Sequence, residues 1–237
     1  MPEVPLPRVV VVTGTDTDVG KTVVSAAVTA TLLASGRSVA AYKPTQTGVG
    51  PADEGDMALV TALTGARTAE GVRLLAPMAP RPAAALEGAR LPTLAHHRRA
   101  VAALLDAHDV VVVEGAGGLL VELTDEGETL ADLAGALPDC GVVLVVRSGL
   151  GTLNHTMLTR EALSRRGIRQ LGIVIGSWPG PPRLPDVIES SNREHLATLP
   201  EGLLGAVPRG APGLGAEVFR TSAAAWLPGL AQRLGTP

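Results

Sequence analysis

The chain has 237 residues, of which 46% are hydrophobic and only 2% aromatic, so valine, leucine and alanine must fill its core. Its formal net charge of −3 excludes the broad basic field that nucleic acid or an anionic membrane surface would require. One cysteine, Cys140, no long apolar run and no signal-peptide pattern predict a cytoplasmic protein without disulfides, in which Cys140 is a partly buried structural thiol.

The first motif is GTDTDVGKT at residues 14–22, which follows a valine-rich run and opens a helix predicted for residues 21–35. In that context it is a P-loop, because successive backbone N–H groups and the helix N-terminus cradle phosphate. Lys21 can then reach the terminal phosphates, and the Thr22 hydroxyl can bind Mg²⁺. The spacing is unusual, since five residues rather than four separate the two glycines of the pattern.

The second motif, YKPTQTG at residues 42–48, ends the second predicted strand. Pro44 forces extended backbone on Lys43, whose cation could neutralise charge on a reacting anion. The alternative is a solvated lysine at a strand end. Further on, Asp56 begins a helical stretch over residues 56–63, where it could cap the helix, bind a metal ion, or do both.

The third motif is VVVVEGAGG at residues 110–118. An apolar strand ends at Glu114, whose carboxylate could bind or orient Mg²⁺ beside a P-loop. The glycines that follow would let the backbone approach phosphate closely. The alternative is a surface glutamate before a flexible loop.

The fourth motif, SGLGTLNHT at residues 148–156, brings glycines to the start of a helix predicted for residues 152–166. The helix N-terminus is a second potential anion site. His155 has no carboxylate partner nearby in sequence, so a structural or capping role is favoured over a catalytic base. Five apolar residues predict one buried stripe on this helix: Leu153, Met157, Leu158, Ala162 and Leu163.

The fold follows from the alternation of short apolar runs with helical stretches. The predicted strands cover residues 8–13, 38–42, 109–113, 141–146, 170–175 and 203–207. Another helix is predicted over residues 93–107 with Thr93 as its N-cap, and glycine- and proline-rich stretches at 44–55, 76–92 and 176–186 are predicted loops. We therefore expect residues 1–237 to form a single α/β domain of the P-loop NTPase type, with a mostly parallel central sheet flanked by helices on both faces. Ligands would bind at the carboxyl ends of the strands.

The four motifs together resemble those of the dethiobiotin synthetases, and the combination of GTDTDVGKT, KPTQTG and LGTLNHT is far more specific than any one of them. The resemblance covers most of the chain, including the LLGAVP segment near its end. It implies a homodimeric ligase of biotin biosynthesis that uses ATP and Mg²⁺. The implied reaction closes a cyclic urea on 7,8-diaminononanoate with carbon from CO₂ or bicarbonate.

The same resemblance implies roles for matching residues. The nucleotide would contact Asp18, Val19, Gly20, Lys21, Thr22, Val23, Glu114, Gly115, Ala116 and Gly117. Mg²⁺ would lie among Thr22, Asp56 and Glu114. The diamine and its carbamate would face Thr17, Lys43, Thr47 and the loop 77–80 that begins at Pro77, and the substrate carboxylate would reach Gly151, Thr152, Leu153 and Asn154 across a dimer interface. Lys43 and Lys21 would be the catalytic cations, and we expect Lys43→Ala to keep the fold but lose most turnover.

One segment departs from the family pattern. Members often carry an asparagine that reads adenine after the fifth predicted strand, whereas this chain has GSWP at residues 176–179. Base recognition would then rest on backbone groups near Gly176, Ser177, Pro208, Arg209 and Gly210. We expect relaxed selectivity that accepts CTP or GTP as well as ATP. Trp178 could stack on the base or simply pack.

Two other functions remain as alternatives. Partition and cell-division ATPases share the P-loop architecture, but their signature lysine would stand where this chain has Asp16. Cobyrinate-amidating ligases share the core, but they need an added glutaminase domain with a nucleophilic cysteine. A chain of this length has no room for that domain, and Cys140 is not in such a setting.

Overall fold

The computed structural model describes residues 6–235, and a seven-stranded sheet forms its centre. The strands are β1 (Val9–Gly14), β2 (Val39–Gln46), β3 (Arg67–Arg73), β4 (Val110–Gly118), β5 (Cys140–Val146), β6 (Gln170–Trp178) and β7 (Leu203–Pro208). They lie in the order β3-β2-β4-β1-β5-β6-β7, and every pairing between them is parallel. Strands β1 and β2 are buried from end to end, as strands covered on both faces must be.

Helices cover both faces of the sheet, which confirms the predicted α/β class. One face carries α1 (Lys21–Ala34), α2 (Asp56–Thr64), α8 (Ala216–Trp226) and α9 (Pro228–Arg233). The other carries α4 (Leu94–Leu105), α5 (Leu130–Ala136), α6 (Thr152–Arg165) and α7 (Val187–Ala197). The short α3 (Pro80–Glu87) packs in a separate small cluster near the end of β3. None of the helices within residues 6–235 is long and apolar enough to cross a lipid bilayer.

Three of the predicted loops contain regular structure. Strand β2 continues through Pro44 to Gln46, α3 lies inside the stretch 76–92, and β6 continues to Trp178. The strand β3 was not predicted at all, because this edge strand is only half-buried and its charged residues break any apolar run. Proline misled the loop prediction at α3, since its prolines stand at the start of the helix, where proline is well tolerated.

Helix ends and faces agree with the sequence only in part. Thr93 caps α4 as predicted, accepting a hydrogen bond from the His96 amide at 3.2 Å. Asp56 is not a cap, because it is already the first residue of α2 and Gly55 takes the cap position. The stripe predicted on α6 is wrong at Met157 and Leu158, which are 47% and 58% exposed, because the buried face of the helix carries Thr152, Thr156 and Leu163.

Candidate active site

The P-loop connects β1 to α1 at the carboxyl edge of the sheet. A Cβ at Gly14 would lie 2.7 Å from the Val19 side chain and 2.8 Å from the Asp16 carbonyl oxygen, so the loop folds back too closely for any other residue there. Gly20 has φ of 95°, a left-handed conformation that favours glycine. The two glycines of the motif are therefore required by geometry despite their unusual spacing.

A cavity of about 730 Å³ opens beside this loop and joins four segments of the chain. Its walls come from the P-loop and the start of α1, the end of β2, the loop before α3, and the turn that ends β4. Thirteen of the predicted site residues line it: Thr17, Asp18, Gly20, Lys21, Thr22, Val23, Lys43, Thr47, Asp56, Pro77, Glu114, Ala116 and Gly117. Sequence reasoning did not assign Gln46, Gly48, Val49 and Val121, which also line it, although the first two belong to the second motif.

Lys43 lies at the centre of a buried ion cluster. Its Nζ is 2.6 Å from Asp56 Oδ2 and 2.7 Å from Glu114 Oε1. Lys43 is only 3% exposed and Glu114 only 1%, so the alternatives of a solvated lysine and a surface glutamate are both wrong. One ammonium group is therefore shared between two carboxylates from different elements.

The two lysines of the cavity differ in their electrostatics. Burial would lower the pKa of Lys43, but the Glu114 and Asp56 carboxylates outweigh it and hold that pKa above its usual value. Burial would likewise raise the pKa of Asp56, but the Lys43 charge reverses the shift. The pKa of Lys21 is lowered, by burial first and then by the like charge of Lys43, and its Nζ donates to the Asp16 carbonyl at 2.9 Å.

The oxygen atoms of Glu114 and its neighbours could ligate a magnesium ion. Its Oε1 accepts hydrogen bonds from Thr22 Oγ1 at 2.9 Å and from Lys43, whereas its Oε2 is buried without a hydrogen-bond partner in the described part of the chain. Mg²⁺ prefers oxygen ligands and is commonly bound by one or two carboxylates together with water and substrate phosphates. Between residues 6 and 235 no group of three or more histidines, cysteines and carboxylates could hold a metal alone, so such an ion would need phosphate oxygens as well.

The glycines that end β4 have separate reasons to be glycine. A Cβ at Gly115 would lie 2.3 Å from a methyl of Leu130 on α5, so packing against that helix excludes a side chain. Gly115 does not line the cavity, although its carbonyl oxygen is 3.5 Å from the Lys43 ammonium. Gly117 has φ of 65° and, with Ala116, does face the cavity. The turn thus combines a packing contact with a cavity wall.

The segment predicted to read the base lies next to the P-loop but outside the cavity wall. A Cβ at Gly176 would lie 2.0 Å from the Val19 carbonyl oxygen, so β6 ends in contact with the P-loop backbone. Arg209 joins the predicted base-reading segment 208–210 to the segment 176–178. Its amide donates to the Trp178 carbonyl at 2.8 Å, and its Nε donates to Ser177 Oγ at 3.5 Å. Pro208 pairs with Trp178 in the sheet, and the exposed Gly210 follows.

Trp178 packs within the protein. Its indole contacts the apolar cluster beneath β5 and β6, and the Arg193 guanidinium carbon lies 4.8 Å from the ring centroid. These contacts agree with the packing interpretation, and stacking of Trp178 on a base stays a prediction. His155 is half-buried at the start of α6, and its Nδ1 has no hydrogen-bond partner among the described residues.

The residues predicted to receive the substrate carboxylate do not line this chain's own cavity. Gly151, with φ of 86°, and Asn154 are exposed at the start of α6, whereas Thr152 is buried and Leu153 half-buried. Leu150, just before them, is 82% exposed. This helix start therefore lies outside the pocket formed by the other predicted residues.

Comparisons with known proteins identify close sequence relatives. A family model described as an AAA domain matches residues 8–209. The ATP-dependent dethiobiotin synthetase BioD of Streptomyces coelicolor is 51% identical over 225 residues, which cover 92% of this chain and 91% of the relative. The protein of the same name from Rhodococcus jostii is 49% identical over 220 residues, which cover 92% and 94%.

Solved structures with the same fold are more distant. The cell division ATPase MinD of Pyrococcus furiosus matches with a TM-score of 0.57 and 18% identity, over 97% of this chain and 98% of that one. The septum site-determining protein MinD of Pyrococcus horikoshii, complexed with Mg-ADP, matches with a TM-score of 0.56 and 16% identity over 96% and 95%. At these identities the likeness shows the P-loop fold alone.

Proposed function

Because this chain belongs to the ATP-dependent dethiobiotin synthetase family, we propose that it closes the cyclic urea of dethiobiotin on 7,8-diaminononanoate, with CO₂ or bicarbonate and a nucleoside triphosphate. The observation that carries the proposal is the single cavity in which a P-loop and a buried lysine face each other. A triphosphate held by the loop would meet a small anion held near the lysine. The pocket thus has the parts that a phosphoryl-transferring ligase needs.

The chemistry proceeds in three steps. One amine of the diamine adds to CO₂ and loses a proton, which gives a carbamate. A carbamate oxygen attacks the terminal phosphorus of the nucleotide, so the nucleoside diphosphate leaves and a carbamic–phosphoric anhydride forms. The second amine attacks the carbamate carbon and expels inorganic phosphate as the five-membered ring closes.

The two lysines would have different tasks in these steps. Lys43 keeps its charge at neutral pH because its pKa is raised, so it can hold the carbamate oxygen and screen negative charge as that oxygen approaches phosphorus. Lys21 lies at the start of α1, where it can move from the Asp16 carbonyl to the terminal phosphates. Thr17, Thr47 and Pro77 are wall residues that would orient the diamine.

Mg²⁺ would be bound by Thr22, Asp56 and Glu114. Support comes from the unpartnered Oε2 of Glu114, from the hydrogen bond of Thr22 to Glu114, and from the Lys43 ammonium that Glu114 shares with Asp56. When bound, the ion would screen the charge of the phosphates. Loss of the ion should be detectable without turnover, because Glu114→Gln should weaken Mg²⁺-dependent nucleotide binding while leaving Mg²⁺-free binding nearly unchanged.

We propose relaxed base selectivity for this protein. The segment from Gly176 to Trp178 and the segment from Pro208 to Gly210 adjoin each other beside the P-loop, and neither offers a side-chain amide to define adenine. Backbone groups there would contact the base, with ATP, CTP and GTP all accepted. A competition assay against one labelled nucleotide tests this, and exclusive binding of ATP would contradict it.

We propose a homodimer in which the start of α6 contributes to the partner's pocket. Support comes from the exposure of Gly151 and Asn154 and of the neighbouring apolar Leu150 and Leu158. Leu158→Glu should convert the protein to monomers in analytical ultracentrifugation and raise the KM for the diamine. Val218→Glu, at another exposed apolar position on α8, serves as the matched control and should change neither.

The direct test of the activity is a product assay. The purified protein is incubated with 7,8-diaminononanoate, bicarbonate, Mg²⁺ and each nucleoside triphosphate in turn, and the cyclic urea is sought by mass. Product that depends on the diamine supports the ligase. Hydrolysis of nucleotide without any dethiobiotin would contradict the substrate assignment and would favour the nucleotide-switch alternative.

A further inference from the structure

The P-loop of this chain carries acidic residues where it should attract an anion. Asp16 and Asp18 both lie in the turn that would surround phosphate, and the Lys21 ammonium is the positive charge that the motif itself supplies. Two carboxylates in such a turn oppose the binding of a triphosphate. The loop therefore needs a compensating cation from elsewhere in the fold.

Arg147 supplies a cation to Asp16. It is the first residue after β5, and its Nη2 lies 2.5 Å from Asp16 Oδ2. The other carboxylate oxygen of Asp16 accepts the Thr17 amide at 2.7 Å, and the Asp16 carbonyl accepts Lys21 Nζ at 2.9 Å. Asp16 thus connects the neighbouring strand, the loop backbone and the phosphate-binding lysine.

The charge distribution around Asp16 agrees with this geometry. The hydrogen bond from Thr17 lowers the pKa of Asp16 most, and the charge and hydrogen bond of Arg147 lower it further against the opposing effect of burial. His155 on α6 adds a smaller attraction. Because Asp16 and Arg147 are each about half exposed, at 50% and 42%, their pair should add little to the stability of the fold. Its consequence should instead appear in anion binding.

We propose that Arg147 is a positioning residue of the phosphate site, which neutralises the charge of Asp16 so that a triphosphate can bind. The inference rests on the proposed nucleotide site and adds a residue that none of the four sequence motifs includes. Since the effect is one of charge, it should be the same for every base and should weaken as salt rises.

The test compares four variants by equilibrium titration with ATP and with CTP at low and at high salt. Arg147→Met should weaken the binding of ATP and of CTP by the same factor, on the order of ten-fold at low salt, and by a smaller factor at high salt. Asp16→Asn keeps an oxygen that can accept the Thr17 amide, and it should not weaken binding. The double variant should bind within about two-fold of the original chain. Arg165→Met, which removes an equal charge from the far end of α6, is the matched control and should bind normally.

Two outcomes would overturn the inference while the proposed function stands. One is an Arg147→Met variant that binds as well as the control. The other is a double variant that binds as weakly as Arg147→Met, since Arg147 would then act by touching the ligand and not through Asp16. A chain without these substitutions that bound neither nucleotide would overturn the proposed function itself and this inference with it.

Discussion

Replacing Lys43 by methionine should destabilise the protein in the absence of Mg²⁺. The change keeps most of the side-chain volume but leaves Asp56 and Glu114 facing each other without the ammonium that lies 2.6 Å and 2.7 Å from them. Removing one partner of a buried ion pair costs about 3–5 kcal/mol, and the lower end applies here because the Asp56 side chain is 35% exposed. For a protein of this size, about 3 kcal/mol corresponds to a Tm lower by roughly 6–12 °C.

The assay is thermal unfolding of the unsubstituted protein and of Lys43→Met, each with and without millimolar Mg²⁺. Added Mg²⁺ should recover part of the loss in Lys43→Met, because a cation would again lie near the two carboxylates, and turnover should stay low even so. Lys21→Met is the matched control. The pKa of Lys21 is already lowered by burial and by Lys43, so removing it should leave the Tm nearly unchanged and abolish nucleotide binding.

An unchanged Tm in Lys43→Met, or an equal fall in both variants, would refute the argument from the buried ion cluster. The sequence alone led us to expect that loss of Lys43 would spare the fold. Burial of the lysine between two carboxylates changes that expectation to a folded but less stable protein.

Two further predictions follow from buried contacts. Gly176→Ala should weaken nucleotide binding and lower the Tm, because its Cβ would meet the Val19 carbonyl oxygen at 2.0 Å. Gly180→Ala, which has open space around its Cβ, is the control and should change neither the nucleotide affinity nor the Tm when measured by the same titration and thermal unfolding. His97 is buried against the Tyr42 hydroxyl at 2.7 Å, and burial lowers its pKa to about 4 from 6.5. Between these two pKa values, His97 is protonated in the unfolded chain but not in the folded chain. The free energy of unfolding should therefore fall by about 3 kcal/mol between pH 6.5 and pH 4. Urea denaturation should show a shallower fall in His97→Gln, and identical pH slopes in both proteins would contradict this role of His97.

The strands of the core were predictable because burial on both faces demands continuous apolar runs. The run of valines in β1 is typical, and every one of those valines is fully buried. The edge strand β3 escaped prediction, since only its hydrogen bonds to β2 define it. Helix α7 escaped although Asp186 and Glu189 form a capping box, a signal that the sequence does contain.

The site was predictable to the extent that its residues follow strand ends within recognisable motifs. Lys43 and Glu114 lie near the carboxyl ends of the neighbouring parallel strands β2 and β4, so their meeting follows from the topology. The pairing of Arg147 with Asp16 could not be inferred, because 131 positions separate them in the chain and Arg147 belongs to none of the four motifs. Likewise, only the three-dimensional fold shows that Gly176 touches the P-loop.

The contact of Gly176 with the P-loop also affects how such a protein can diverge over evolutionary time. Substitution at residue 176 is opposed by the backbone of Val19, and substitution at Gly20 by the backbone of residue 176 itself. Ser177, the next residue, is half-buried. Under the proposed base site, substitutions after position 176 can change which nucleotide is preferred, whereas the close contact of Gly20 with Gly176 keeps both of those positions as glycine.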